Sequence, residues 1–140
     1  MTDVLDMDQQ RSTSRTVHTF DGRPGTVGTA LRHTRSFLDS HSPGAARQPC
    51  EDLLLLVAEL VTNAVRHAPG PVDLELSCDG CLRVAVTDTS TSPPVARIPD
   101  LRGGGGFGWH LVVALADRLE VRMRLVPPDG KTITVSVPGH

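Results

Sequence analysis

The spacing of apolar residues shifts several times along this chain, and each shift marks a different kind of element. "RTVHTF" (Arg15 to Phe20) has the β-branched and aromatic content of a short strand. From about Pro24 to Asp39, Val27, Leu31, Thr34 and Leu38 recur at helical spacing, with Ala30 and Phe37 widening the stripe, which predicts an amphipathic helix. "HSPGAARQP" ends it. A second helix is predicted from Pro49 or Cys50 to His67, because Pro49 with Glu51 and Asp52 suits a helix start and "APGP" closes the segment. The period then drops to two. Val72, Leu74, Leu76 and Cys78 alternate with polar residues, as do Leu82, Val84 and Val86, giving a hairpin with one apolar face around a two-residue Asp79-Gly80 turn.

After a long connection, 89–106, helical spacing returns through Leu111, Val112, Leu115, Ala116 and Leu119. "VRMRLV", the turn "PPDG" and "KTITVSV" form a second hairpin. The order β-α-α-β-β-loop-α-β-β, with hairpins and no βαβ spacing, implies an α+β two-layer sandwich. Its sheet is mixed and mostly antiparallel, with three helices covering one face. Residues 1–14 read as a tail and 15–140 as one domain.

Three polar features interrupt these patterns. In "ELVTNAVRHA", Glu59, Asn63, Arg66 and His67 fall within an arc of roughly 100°, since positions i, i+4, i+7 and i+8 share a helix face. Leu53, Leu54, Val57, Leu60, Val61, Ala64, Val65 and Ala68 occupy the rest. That polar arc is either a solvated face with a charge gradient suited to the helix dipole or the wall of a site. Asp88 lies in phase with Leu82, Val84 and Val86, so its carboxylate points to the covered side, a costly position unless something binds it; alternatively it turns out and caps the following turn. Gly103 to Gly106, then Phe107 and Gly108, lead into the third helix. Such backbone exposes N–H groups and the positive end of a helix dipole to an anion, or else is a linker.

Composition narrows the classes. A net charge of -2 with scattered basic residues gives no electrostatic footprint for nucleic acid. No apolar run approaches the ~20 residues of a membrane span. The opening "MTDVLDMDQQRSTSR" lacks the basic and apolar regions of a signal peptide, so the expected location is the cytoplasm. Three cysteines, an odd number, argue against a disulfide framework, and a lone "CDGC" pair is weak evidence for zinc. Lysine occurs once, at Lys131, amid plentiful arginine, and reads as compositional bias.

Taken in order, "ELVTNAVRHA", "VAVTDTSTSPP" and "GGFGWHLVVALADRLEV" resemble the N-box, adenine-binding loop and glycine box of the histidine-kinase-like ATPases of the GHKL superfamily. The chain looks most similar to small single-domain members of anti-sigma factor serine/threonine kinase type. The resemblance runs from about Val17 to Val137 and implies a Bergerat-type ATP-binding fold with ATP and Mg²⁺ as cofactors. It assigns Asn63 to Mg²⁺, Glu59 as general base on a Ser or Thr hydroxyl, Arg66 and His67 to the same cleft, and Asp88 to the adenine amino group. Gly104, Gly105, Gly106 and Gly108 would hold the phosphates. One departure is visible: the family's usual Asp-x-Gly-x-Gly is here Asp88-Thr89-Ser90-Thr91-Ser92. The implied partners are a sigma factor or an anti-sigma factor antagonist, with a homodimer left open. The competing function is a non-catalytic nucleotide-binding or protein-interaction module.

Overall fold

Alternating side chains let a strand bury one face only, and the second layer here is built to cover that face. A computed structural model of the chain describes residues 14–68, 70–94 and 108–138. Its strands are β1 (Ser14–Phe20), β2 (Val72–Cys78), β3 (Cys81–Asp88), β4 (Arg118–Arg124) and β5 (Gly130–Pro138). Its helices are α1 (Thr26–His41), α2 (Arg47–His67) and α3 (Gly108–Leu115). The sheet order is β1-β2-β3-β5-β4, and every pairing among the described residues is antiparallel. The α+β sandwich read from the sequence is therefore present. Its sheet is antiparallel throughout, because each neighbouring pair is either a hairpin or joined by a connection that reverses the chain. Apart from Ser14, the residues read as a tail lie outside the described ones.

The helix-covered face carries Val72, Leu74 and Leu76 of β2, Leu82, Val84 and Val86 of β3, and Ile133, Val135 and Val137 of β5, all buried. Against it lies α2, in contact with β2, β3 and β5, through Leu53, Leu56, Val57, Leu60, Val61 and Ala64. Leu54 and Val65, counted with the core stripe in the sequence, are only half-buried, and Leu56 takes a core place instead. From α1, Ala30, Thr34, Phe37 and Leu38 close the β1 side, and the Thr34 hydroxyl is satisfied by the Ala30 carbonyl at 2.8 Å. His18 of β1 stacks on His33 of α1 with ring centroids 4.0 Å apart.

Two local readings are corrected. Register sets Cys78 opposite Leu82, so the first hairpin turns through three residues with Gly80 at its apex (φ 99°), rather than through two. Cys78 then lies on the helix side and Cys81, out of phase with Leu82, on the open side. No group of three or more metal-ligating side chains occurs among the described residues. The third helix stops at Leu115 instead of running to Leu119. The Asp117 N–H bonds to the Ser136 carbonyl of β5 at 2.7 Å, and Leu119 pairs with Val135, so sheet pairing takes over the backbone groups a longer helix would have used. No helix among the described residues is long and apolar enough to cross a membrane.

Two stability outcomes are expected. Leu60→Ala, at a position 1% exposed, should cost about 2–5 kcal/mol in a urea unfolding series. Burial and the neighbouring His33 hold the His18 imidazole below its usual pKa of 6.5. As pH falls below that value the unfolded chain takes up a proton that the folded chain resists, so stability declines there. His18→Gln should flatten that decline, as read from denaturation midpoints across the acid range.

Candidate functional site

The polar arc of α2 does not face one environment. Glu59 and Asn63 are half-buried, whereas Arg66 and His67 are exposed. The difference comes from α3, whose first residue, Gly108, comes to rest on Glu59. A Cβ at position 108 would fall 2.5 Å from Glu59 Oε2, closer than real Cβ atoms approach a neighbour. With glycine at 108 the carboxylate lies against the start of a helix, where the dipole favours negative charge, whereas a larger residue there would make the Glu59 carboxylate swing aside. Residues 49 positions apart in sequence numbering, Glu59 and Gly108, meet here.

One turn further along α2, Asn63 and His67 line a cavity of about 280 Å³. Among the described residues its remaining walls are Ser90, Ser92, Pro93, Pro94 and Lys131. The volume sits at the lower edge of small-molecule sites, about 300 Å³ and upward. Asn63 offers an amide oxygen, an oxygen ligand of the kind Mg²⁺ takes. The imidazole, the hydroxyls and the ammonium offer donors of the kind a nucleotide's acceptors need. This donor set fits a magnesium nucleotide.

Asp88 points inward as its phase in β3 requires, and both of its oxygens are engaged. Lys131, its direct cross-strand partner in β5, donates to Oδ1 at 3.1 Å and to Oδ2 at 2.9 Å. The two side chains are only 5% and 7% exposed. Oδ1 also accepts the Ser90 N–H at 2.9 Å, so Asp88 caps the turn as well as pointing in. Ser90 Oγ in turn accepts the Ser92 N–H at 3.0 Å. The serines standing where glycines are usual thus shape the loop and also line the cavity. At Gly130 the constraint is stricter, since a Cβ there would collide with the Asp88 backbone carbonyl, which cannot swing aside as a side chain can. Without it β5 could not bring Lys131 so close to Asp88.

The structure therefore brings together Asn63 and His67 in one cavity, and Glu59 with Gly108 beside it. Arg66 is exposed, and Asp88 is bonded to Lys131 without itself being among the described walls of this cavity. Gly104, Gly105 and Gly106 lie outside the described residues. Sequence reasoning missed Lys131. The signal was available: Lys131, Ile133, Val135 and Val137 share one phase of "KTITVSV", the same count that turned Asp88 inward.

The fold and these sites define a class. The chain belongs to the histidine kinase-like ATPase domain family, whose model matches residues 20–137. Among solved structures it is similar to the RsbU and RsbW domains of Rv1364c from Mycobacterium tuberculosis, with a TM-score of 0.62 and 21% identity. That match covers 89% of this chain and 32% of the other, so this chain spans about a third of that protein's length. It is also similar to a chain of the SiaB-SiaC complex from Pseudomonas aeruginosa, with a TM-score of 0.66 and 13% identity over 96% of this chain and 97% of that one. At these identities the likeness concerns the fold. No curated protein matches.

The buried pair generates a stability outcome. Lys131→Met leaves the Asp88 carboxylate buried without its counter-charge and should cost about 3–5 kcal/mol. Adding Asp88→Asn to it should restore most of that loss. Chemical denaturation of the single and double variants checks both.

Proposed function

We propose that this chain is an ATP-binding regulatory protein acting as a serine/threonine protein kinase of anti-sigma factor type. In this reading it binds a sigma factor or a similar target and phosphorylates an antagonist protein. The observation that carries the reading is the meeting of Glu59 with the N-terminal residue of α3, one helical turn from Asn63 in the cavity wall. A base, a metal-binding amide and a helix start then sit side by side, which phosphoryl transfer requires because its catalysis is mostly positioning and charge stabilisation.

Asn63 would hold Mg²⁺ through its amide oxygen, and Gly108 with the α3 N-terminus would favour the negative charge of the phosphates. Bound Mg-ATP would supply the transferable phosphoryl group. Glu59, half-buried and one helical turn from Asn63, would take the proton from an approaching Ser or Thr hydroxyl. His67 and Arg66, at the exposed end of the arc, would meet the phosphates or the incoming protein. Support for a protein partner comes from a structural neighbour that was solved as a complex with a second protein.

A second reading, a non-catalytic nucleotide-binding or interaction module, is favoured by the hold of Lys131 on Asp88, which alters the carboxylate assigned to adenine.

Glu59→Gln should lose ~10²–10⁴-fold in phosphoryl transfer, because it keeps the size but cannot take a proton, while Mg-ATP affinity changes little. Asn63→Ala should lose both, since the metal ligand goes. Calorimetry for binding, and transfer to co-purifying protein on the same samples, decide it. Trp109, next to Gly108, gives a fluorescence readout of binding. Full transfer by Glu59→Gln would remove Glu59 from the mechanism. Binding without transfer to any partner would favour the module.

A further inference from the structure

The cavity beside Asn63 is lined, among the described residues, by no carboxylate. Lys131 is one of its walls, and the nearest acid in contact with that wall, Asp88, is held by the Lys131 ammonium. Each Asp88 oxygen already accepts the Lys131 ammonium, at 3.1 and 2.9 Å, and Oδ1 accepts the Ser90 N–H as well. An ammonium has three donors, and the two Asp88 contacts use at most two of them. A lone carboxylate at this position would be an acceptor only. It would welcome the exocyclic amino group of a 6-aminopurine and repel the O6 carbonyl of a 6-oxopurine. Capped by a buried lysine, the same wall is neutral overall and presents a donor.

We propose that Lys131 is a specificity-determining residue of the nucleotide site, and that the capped wall admits a 6-oxopurine nucleotide of the guanine type as well as ATP or better. Donation from Lys131 to O6 is charge-assisted and takes place where water is scarce, which strengthens it. The adenine amino group meets instead a carboxylate whose charge is already committed, and displacing a paired buried lysine is costly. The neighbouring serine walls agree, because the Ser90 and Ser92 hydroxyls can donate and neither repels a carbonyl. Gly130 belongs to the same device: it lets β5 pass against the Asp88 carbonyl and so sets the position of Lys131.

This inference rests on the nucleotide reading given under Proposed function, and the test separates the two. Mg-ATP and Mg-GTP are titrated by calorimetry into the full chain, wild type, Lys131→Met and Lys131→Gln, with folding of each checked by circular dichroism. Wild type should bind GTP within about ten-fold of ATP or more tightly. Lys131→Met, which removes the donor from the wall and leaves the Asp88 charge uncompensated, should shift the ATP:GTP affinity ratio toward ATP by at least about ten-fold. Lys131→Gln retains a neutral donor and should shift it in the same direction by less, and it decides the question where Lys131→Met does not fold. A wild type that prefers ATP by more than ten-fold, or a ratio unmoved in the folded variants, overturns the role of Lys131 and leaves the nucleotide reading standing. Failure of wild type to bind either nucleotide overturns both.

Discussion

The contact between the apolar side of α2 and the inner face of the sheet is the interaction on which the rest of the molecule depends. Leu53, Leu56, Val57, Leu60, Val61 and Ala64 press on the buried residues of β2, β3 and β5. A helix fixed along one side has no freedom left to rotate about its axis. The direction of Glu59, Asn63, Arg66 and His67 is therefore settled by the residues on the opposite side of the helix. The site is in this sense a by-product of core packing, and it has the rigidity that the base and metal-binding amide proposed above would need.

Within that frame the buried pair of Asp88 and Lys131 is the costly element. Two charges removed from water gain little net stability over apolar residues of the same size, but either one alone would be strongly destabilising. Such a pair in an otherwise aliphatic sheet face is weak evidence for a stabilising purpose. Its location at the end of β3 and the start of β5, where the Ser90-Ser92 turn and the end of α2 converge, ties it to the cavity instead. The pair also joins two elements of the fold, since its lysine closes the cavity while its aspartate organises the turn that forms another wall. A change at either residue would be felt in both places.

The open face of the sheet has a different character. Arg15 pairs with Glu75 at 2.8 Å and Arg122 with Glu120 at 3.2 Å, both in solvent. Surface pairs of this kind contribute little to stability. The two faces thus divide the work: aliphatic packing on one holds the fold together, and mixed charge on the other keeps it in contact with water.

Period and phase made most of the fold legible in advance. The alternation in "VDLELSCDGCLRVAVTD" and "KTITVSV" determined which face of the hairpins would be covered, and the helical stripe determined which side of α2 would be core. The inward direction of Asp88 followed from the same count. These are local properties, since a strand or helix carries its facing in its own sequence. Tertiary structure decided what no local count contains: which strands become neighbours, and hence which inward residues meet. Asp88 and Lys131 each point inward by their own phase, yet only the β3–β5 register sets one against the other. Glu59 and Gly108 each carry a recognisable pattern, but the absence of a Cβ at 108 acquires meaning only when α3 is laid against α2. The end of α3 was likewise decided across the sheet, where Ser136 claimed the N–H of Asp117. Sequence fixes what each segment prefers to bury; the cost of leaving buried charges and backbone groups unpaired fixes which segments must come together.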